Sequence, residues 1–274
     1  MPTNIALLAK PLAFFKRDFK IATSYRLQFI IQGFSIILST FAFFLLSGMF
    51  DGQQITSLEP YGGDYFPFIL IGLALTDYLT ISTNTFATEI RSAQMVGTLE
   101  SLLVTPTSIY TILLSSFTYK ALSTSLRMLL YFLLGYFLFS VRFQSVNVFA
   151  LSISFILTLL PFFGLGLLSA SFIIVFKQGS PISGLMAMSS GLLGGVIYPV
   201  TVLPNWLQPF SSILPITHGL EAMRQILLNG MGFQDISRQL IILSLLSLVF
   251  VGIGSISLYY GLKIARKEGS LLHY

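Results

Sequence analysis

Three charged residues lie well inside long apolar stretches of the sequence. Asp77 is near the middle of the second stretch, and Lys120 and Arg127 are in the third. A charge at membrane depth is costly, so it usually serves an ion pair, an ion or proton path, or substrate contact. Adjacent antiparallel helices would bring Asp77 and Lys120 to similar depth, with Arg127 about 10 Å further outward. We predict an Asp77–Lys120 pair that joins two helices, with a substrate-contacting role as the alternative.

A second group of ionisable residues follows Pro215 at helical spacing. His218, Glu221 and Arg224 would share one face of a short helix. They could form a polar site for a lipid headgroup or a sugar in the outer leaflet. The alternative is that these side chains pair within their own helix.

Several chemistries lack their motifs in this sequence. There is no GxxxxGK[ST] segment to hold ATP, no HExxH motif and no cysteine. A lone intramembrane Asp77 is a poor basis for a transferase that needs several carboxylates around a metal. We therefore expect no catalytic residue, no metal and no cofactor bound by this chain.

The composition of the chain is typical of a protein that lies in a membrane. Hydrophobic residues make up 54% of the 274 residues and charged residues only 9%, whereas soluble domains carry about 25% charged residues. The surplus apolar surface must face lipid. We predict one all-α transmembrane domain over residues 1–274 with six spans, each of about 20 apolar residues: Leu27–Met49, Tyr65–Ala87, Ser108–Phe139, Val146–Phe176, Ile182–Leu203 and Leu240–Leu262.

The basic residues cluster at the ends of these stretches, which is typical of topology-setting charges and not of nucleic-acid binding. Residues 1–26 mix apolar and basic side chains, which predicts an amphipathic helix lying on the membrane surface. Placing the N-terminus inside leaves only Arg142, Arg224 and Arg238 outside. Both termini are therefore expected in the cytoplasm, which requires an even number of spans.

The segment between the last two spans does not resemble a simple loop. Residues 204–238 contain Pro204, Pro209 and Pro215, yet are too apolar to be free in water. Such broken backbone is tolerated at membrane depth only where protein or water surrounds it. We predict short re-entrant helices on the outer side, one of which follows Pro215 and ends at Asn229-Gly230.

Residues 88–107 form the long cytoplasmic connection between the second and third spans. Gly97 should break the helix, and Thr98 can then cap a short helix that presents Leu99, Leu102 and Leu103 on one face, with Glu100 elsewhere. Such a helix could dock into a groove of a soluble partner. An ordinary interhelical loop is the alternative.

The fifth stretch is rich in small residues. Gly191 and Gly195 have the GxxxG spacing that lets helices pack closely. We predict tight packing near an interface between two copies of the chain, and a smooth wall along a passage through the membrane is the second option.

Two sequence strings carry a family resemblance. GTLESLLVTP, beginning at Gly97, resembles the cytoplasmic coupling segment of type-2 ABC exporter permeases, and residues 194–225, GGVIYPVTVLPNWLQPFSSILPITHGLEAMRQ, resemble the signature at the end of their fifth span. The resemblance implies a permease that pairs with a second copy, usually identical, and with two ATP-binding subunits that supply ATP and Mg²⁺. It also implies that residues 97–104 contact the ATPase. Relatives often carry Gly-Lys about ten residues after the proline matching Pro106, where this chain has Ser115-Ser116.

The resemblance further implies a subunit that exports a lipid, a polysaccharide or a drug. We expect it in the bacterial inner membrane as a multi-pass protein among membrane lipids, without a nucleic-acid partner. One alternative is a secondary transporter or channel that works without ATP. Another is a membrane enzyme that acts on lipid-linked substrates.

Overall fold

Most of the chain that the structure describes is helical. The computed structural model describes residues 13, 15–21, 23–50, 55–97, 108–144, 146–177 and 181–267. Two 3-10 helices, Thr56–Tyr61 and Val200–Val202, accompany eight α-helices: α1 (Arg26–Gly48), α2 (Tyr65–Met95), α3 (Ile109–Leu138), α4 (Val148–Phe176), α5 (Pro181–Leu193), α6 (Gln208–Ile213), α7 (Pro215–Asn229) and α8 (Ser237–Lys267). The predicted all-α class is confirmed for these residues.

Among the residues that the structure describes, five helices are long and apolar enough to cross a membrane: α1, α2, α3, α4 and α8. They match five of the six predicted stretches, and they identify a multi-pass membrane protein. The fifth stretch, Ile182–Leu203, differs because α5 has only 13 residues, or about 20 Å of helix. It ends just before Gly195, whose φ of +75° is incompatible with a continuing helix. A sixth crossing therefore stays a prediction.

Two helices form the centre of the bundle. In the most apolar 18-residue stretch of each helix, 67% of the residues are buried in α2 and 61% in α4, but only 11% in α1. In α3 and in α8 the buried share of this stretch is 22%. The long α2 and α4 therefore carry the core, and the other three spans leave most of their apolar surface to lipid or to another protein.

Glycines let α4 approach its neighbours closely. A Cβ on Gly164 would lie 2.5 Å from the carbonyl oxygen of Phe250 in α8, and one on Gly166 would lie 2.6 Å from that of Ser82 in α2. Gly254 of α8 lies against the carbonyl group of Gly164. Gly252 has no atom within 4 Å of a Cβ position.

A change to alanine should destabilise the protein at Gly164, which is tightly packed, but not at Gly252, which faces open space. We expect Gly164→Ala to lower the free energy of unfolding by about 1–3 kcal/mol, because the Cβ would push two helix backbones apart. The matched control Gly252→Ala should be neutral or slightly stabilising, since alanine favours helix. Thermal unfolding in detergent measures both changes, and equal effects would argue against close packing at Gly164.

The helix predicted after Pro215 is present as α7, and its left-handed cap is Gly230 with a φ of +67°. Its apolar face, including Ile216, Leu220, Met223 and Leu227, is buried. It packs against α4 where a Cβ on Gly219 would lie 2.5 Å from Thr158. Thr158 is about 15 Å along α4 from the start of that helix, so α7 lies deep within the bundle.

The predicted N-terminal helix is visible in part. Residues 15–21, 23 and 24 are helical, and the Phe15 ring contacts the Tyr119 ring of α3 with centroids 5.4 Å apart. Residues 1–12 lie outside the described part of the chain. A position at the membrane surface stays a prediction.

Candidate functional site

Arg224 of α7 is the buried charge around which the bundle is organised at the end that holds the 3-10 helix Thr56–Tyr61. It is 2% exposed. Its guanidinium donates to the carbonyl oxygen of Phe68 from Nε (3.2 Å) and Nη2 (3.0 Å), to that of Gly195 from Nη1 (2.7 Å), and to that of Val196 from Nη2 (3.1 Å). It also lies 3.4 Å from the centroid of the Phe68 ring. Arg224 therefore joins α7 to α2 and to the turn after α5.

The electrostatics of this cluster favour a charged Arg224. Burial lowers the pKa of Arg224 to about 9, and Tyr61 and Glu221 oppose that change. The Tyr61 hydroxyl donates to Glu221 Oε2 at 2.6 Å. Burial, and then the Glu221 carboxylate, raise the pKa of Tyr61. The tyrosine stays protonated at neutral pH and remains a hydrogen-bond donor.

The predicted trio His218, Glu221 and Arg224 lines one cavity of about 300 Å³ beneath the 3-10 helix Thr56–Tyr61. The His218 ring donates from Nε2 to the carbonyl oxygen of Ser212 at 2.8 Å, and Glu221 Oε1 accepts from Gln225 at 2.9 Å. Glu221 therefore pairs within its own helix, with Gln225, and also outside it, with Tyr61. Arg224 is occupied by backbone carbonyls, and a role of the trio in binding a headgroup or a sugar stays a prediction.

Arg238 also lines this cavity, from the first turn of α8. Arg238 was predicted to lie outside, but without a connection to the trio. Only the packing of α8 against α7 brings it there, so the sequence held no direct signal for it.

The predicted ion pair inside the membrane has a different basic partner. Asp77 Oδ2 lies 3.7 Å from Arg127 Nη1, and no ion pair joins Asp77 to Lys120 in the described residues. Helix geometry explains the error. Asp77 lies about 18 Å from the N-terminal end of α2, and Arg127 and Lys120 lie about 16 Å and 27 Å from the C-terminal end of α3. The Asp77–Lys120 prediction is therefore wrong.

A double-mutant cycle tests the corrected pair. We expect Asp77→Asn and Arg127→Gln each to lower thermal stability, and the double variant to lose less than the sum of the two. The interaction free energy should be about 0.5–1 kcal/mol, because both side chains are partly exposed. The same cycle with Lys120→Gln in place of Arg127→Gln should give no interaction free energy. An equal interaction free energy with Lys120 would support the Asp77–Lys120 pair instead.

A further ionic cluster at the opposite end of α2 was missed by the sequence analysis. Arg17 Nη2 lies 2.7 Å from Asp18 Oδ1 and 3.5 Å from Glu89 Oε2. Asp18 is buried and Lys120 lines the same cavity. The signal was present in the sequence, since Asp18 is the only acidic residue among the basic ones in residues 1–26.

The two small residues predicted to share a packing face do not lie on one helix. α5 ends at Leu193, and Gly195 follows in a left-handed turn. The GxxxG interpretation of Gly191 and Gly195 is wrong in this respect. A Cβ on Gly191 would meet no atom within 4 Å, so a contact of Gly191 with a second copy stays a prediction.

The connection after α2 is described only at its start. α2 ends at Met95, and Gly97 has a φ of +72°, as expected for the predicted break. Thr98, Leu99, Glu100, Leu102 and Leu103 lie outside the described residues, so their predicted docking role remains a prediction.

Comparison with known proteins identifies the family. The inner membrane transport permease YadH of Escherichia coli (strain K12) is 25% identical over 182 residues, which cover 66% of this chain and 70% of YadH. ABC transporter G family member 20 of Dictyostelium discoideum is 46% identical over 41 residues, which cover 15% of this chain and 6% of that much longer protein. The family model for the ABC-2 type transporter matches residues 12–228. The chain belongs to the ABC-2 type transporter family as a membrane-spanning permease.

Proposed function

We propose that this chain is the membrane-spanning half of an ATP-driven exporter in the inner membrane. It moves a lipid, a polysaccharide or a drug-like molecule out of the cytoplasm with ATP that a separate subunit hydrolyses. The family match across residues 12–228 carries the proposal, because permeases of this family work with an ATP-binding subunit. The inner-membrane location is supported by the similarity to YadH.

The proposed topology has six crossings and cytoplasmic termini. The sixth crossing combines α5 with the turn at Gly195 and the 3-10 helix Val200–Val202, which together cover the stretch Ile182–Leu203. α6 and α7 are the re-entrant helices on the outer side. The depth of Gly219, beside Thr158 of α4, supports that placement of α7.

The proposed coupling segment, which transmits the movement of the ATP-binding subunits to the spans, runs from Gly97 to Val104. It follows the end of α2 and precedes α3, so it connects a core helix with a peripheral one. Closure of the ATP-binding subunits on ATP and Mg²⁺ moves this segment, and the spans rearrange because the two states differ in their contacts. Outward movement of the substrate follows from that rearrangement.

The functional unit contains two copies of the permease and two ATP-binding subunits. A single chain leaves α1 largely uncovered, and several of its large apolar side chains recur at helical spacing on the exposed surface: Leu27, Ile30, Phe34, Leu38, Phe41 and Leu45. A second permease copy and membrane lipids cover this surface in the proposed assembly.

Purification from the native membrane in mild detergent tests this proposal. We expect a P-loop ATPase to co-purify at one copy per permease, and ATP hydrolysis to drive transport into inverted vesicles. A pure chain that transports along an ion gradient without an ATPase would identify a secondary transporter instead. Turnover of a lipid-linked substrate by the chain alone would identify an enzyme.

A further inference from the structure

A cavity with charged side chains in its lining opens at the end of the bundle that also carries the connection after α2. It has a volume of about 400 Å³ and lies between the N-terminal helical residues, α1, α2 and α3. Charged side chains from three of these elements line it: Arg17 and Asp18, Glu89, and Lys120. None of the residues that line it also lines the cavity around Arg224.

Asp18 offers this cavity an acceptor that no described group uses. Its side chain is only 9% exposed. Oδ1 accepts from Arg17 Nε at 2.8 Å, but Oδ2 is buried without a hydrogen-bond partner. A buried carboxylate oxygen without a donor is costly, so a ligand with N–H groups would stabilise it.

Lys120 offers the same cavity an exposed cationic donor. Its ammonium group forms no ion pair with any described carboxylate, and its charge acts on Glu89 from a greater distance. Its Nζ lies 6.0 Å from the centroid of the Tyr119 ring. An ammonium group has three donors and no acceptor, so Lys120 calls for an anionic oxygen.

The charge balance of the cavity selects the ligand. Two cationic side chains, Arg17 and Lys120, face two carboxylates, Asp18 and Glu89, so neither a simple anion nor a simple cation gains from the whole site. A zwitterion with an ammonium group and a phosphate satisfies Asp18 Oδ2 and Lys120 together. The ammonium must carry N–H groups, because a quaternary amine cannot donate to Asp18.

The walls of the cavity favour an amphipathic source for this zwitterion. Ile21, Tyr25 and Phe29 line it and are exposed on the surface of the chain. Acyl chains can lie along these side chains, whereas a free water-soluble zwitterion would gain nothing from them. We propose that this cavity binds the headgroup of a primary-amine phospholipid, such as phosphatidylethanolamine. The leaflet from which the lipid comes rests on the proposed orientation, but the binding does not.

Native mass spectrometry of the purified full chain in detergent tests the binding. Phosphatidylethanolamine should be retained at least about tenfold more tightly than phosphatidylcholine, which has no N–H donor, and than phosphatidylglycerol, which has no amine. Asp18→Asn and, independently, Lys120→Gln should each remove most of this preference. The control Glu59→Gln removes a carboxylate from the exposed 3-10 helix at the other end of the molecule, so it should keep the preference.

Retention of the three lipids without preference by the unsubstituted chain would overturn the proposal. A preference that survives both Asp18→Asn and Lys120→Gln would place the lipid elsewhere and would also overturn it. Melting temperatures of each variant without added lipid show that it is folded. The ATPase pull-down reports on the exporter proposal separately, so the two proposals can fail independently.

Discussion

Replacing Arg224 with methionine is expected to lower the melting temperature of the detergent-solubilised protein by about 6–12 °C. Methionine fills a similar volume but donates no hydrogen bond. The carbonyl oxygens of Phe68, Gly195 and Val196 would lose their donor in a buried environment. An unsatisfied buried carbonyl costs about 1–3 kcal/mol, so a loss of about 3 kcal/mol is a moderate expectation, and the temperature shift follows from it.

The same change should disturb more than stability. Arg224 holds α7 against α2 and fixes the turn that follows α5. Without it, α7 and the turn after α5 should open before the rest of the bundle. Hydrogen exchange should therefore rise first in residues 194–202 and in α7, while α4 stays protected.

Two controls separate the hydrogen bonds from the positive charge. Arg224→Lys keeps the charge but lacks the planar guanidinium that reaches three carbonyl groups. Relative to Arg224→Met, it should therefore recover less than half of the lost melting temperature. Arg142→Met makes the same substitution at an exposed arginine just after α3, and it should shift the melting temperature by about 2 °C or less. A lysine variant as stable as the original protein would contradict the carbonyl clamp.

Changes in the segment after Gly97 should nearly abolish transport while the protein still folds. Glu100→Arg inverts a charge, and Leu102→Asp places a carboxylate on the predicted apolar face of the coupling helix. If this face binds in a groove of the ATPase, burying an unpaired charge there costs several kcal/mol. Transport should fall at least about tenfold, and ATP hydrolysis should become independent of substrate.

The folded state can be checked in the same preparations. Melting temperatures should stay close to that of the unsubstituted chain, since the spans and their packing are untouched. Glu59→Arg inverts a charge on the exposed 3-10 helix at the other end of the molecule and should leave transport unchanged. Normal transport by Glu100→Arg and Leu102→Asp would contradict the coupling role.

The elements of the fold were predictable wherever one local signal was enough. Long apolar stretches identified α1, α2, α3, α4 and α8, because lipid demands about 20 apolar residues for each crossing. Pro215 and Asn229-Gly230 marked both ends of α7, because proline starts a helix and glycine accepts the left-handed cap. The length of α5 was not predictable, because its sequence stays apolar past Leu193 and the backbone turn at Gly195 depends on packing against α7 and α2.

The partners within the site were less predictable than its residues. The sequence identified Asp77, Arg127, Glu221 and Arg224 as charges in apolar surroundings, and each is engaged by another group. Which group each contacts depends on the relative depth of two helices. An offset of one or two turns is about 5–11 Å, enough to exchange Lys120 for Arg127. The contact of Arg224 with backbone carbonyl groups was not predicted, because every residue has a carbonyl group and the sequence does not show which ones lie close to Arg224.

Labelling of a single cysteine in the segment after Gly97 tests the central claim most directly. The chain contains no cysteine, so Ser101→Cys introduces a unique thiol beside the predicted coupling residues. A membrane-impermeant maleimide should label it in inverted vesicles but not in intact spheroplasts, and the co-expressed ATPase should protect it. Labelling in spheroplasts, or labelling in inverted vesicles that the ATPase does not slow, would contradict a permease driven through this segment by a separate ATPase.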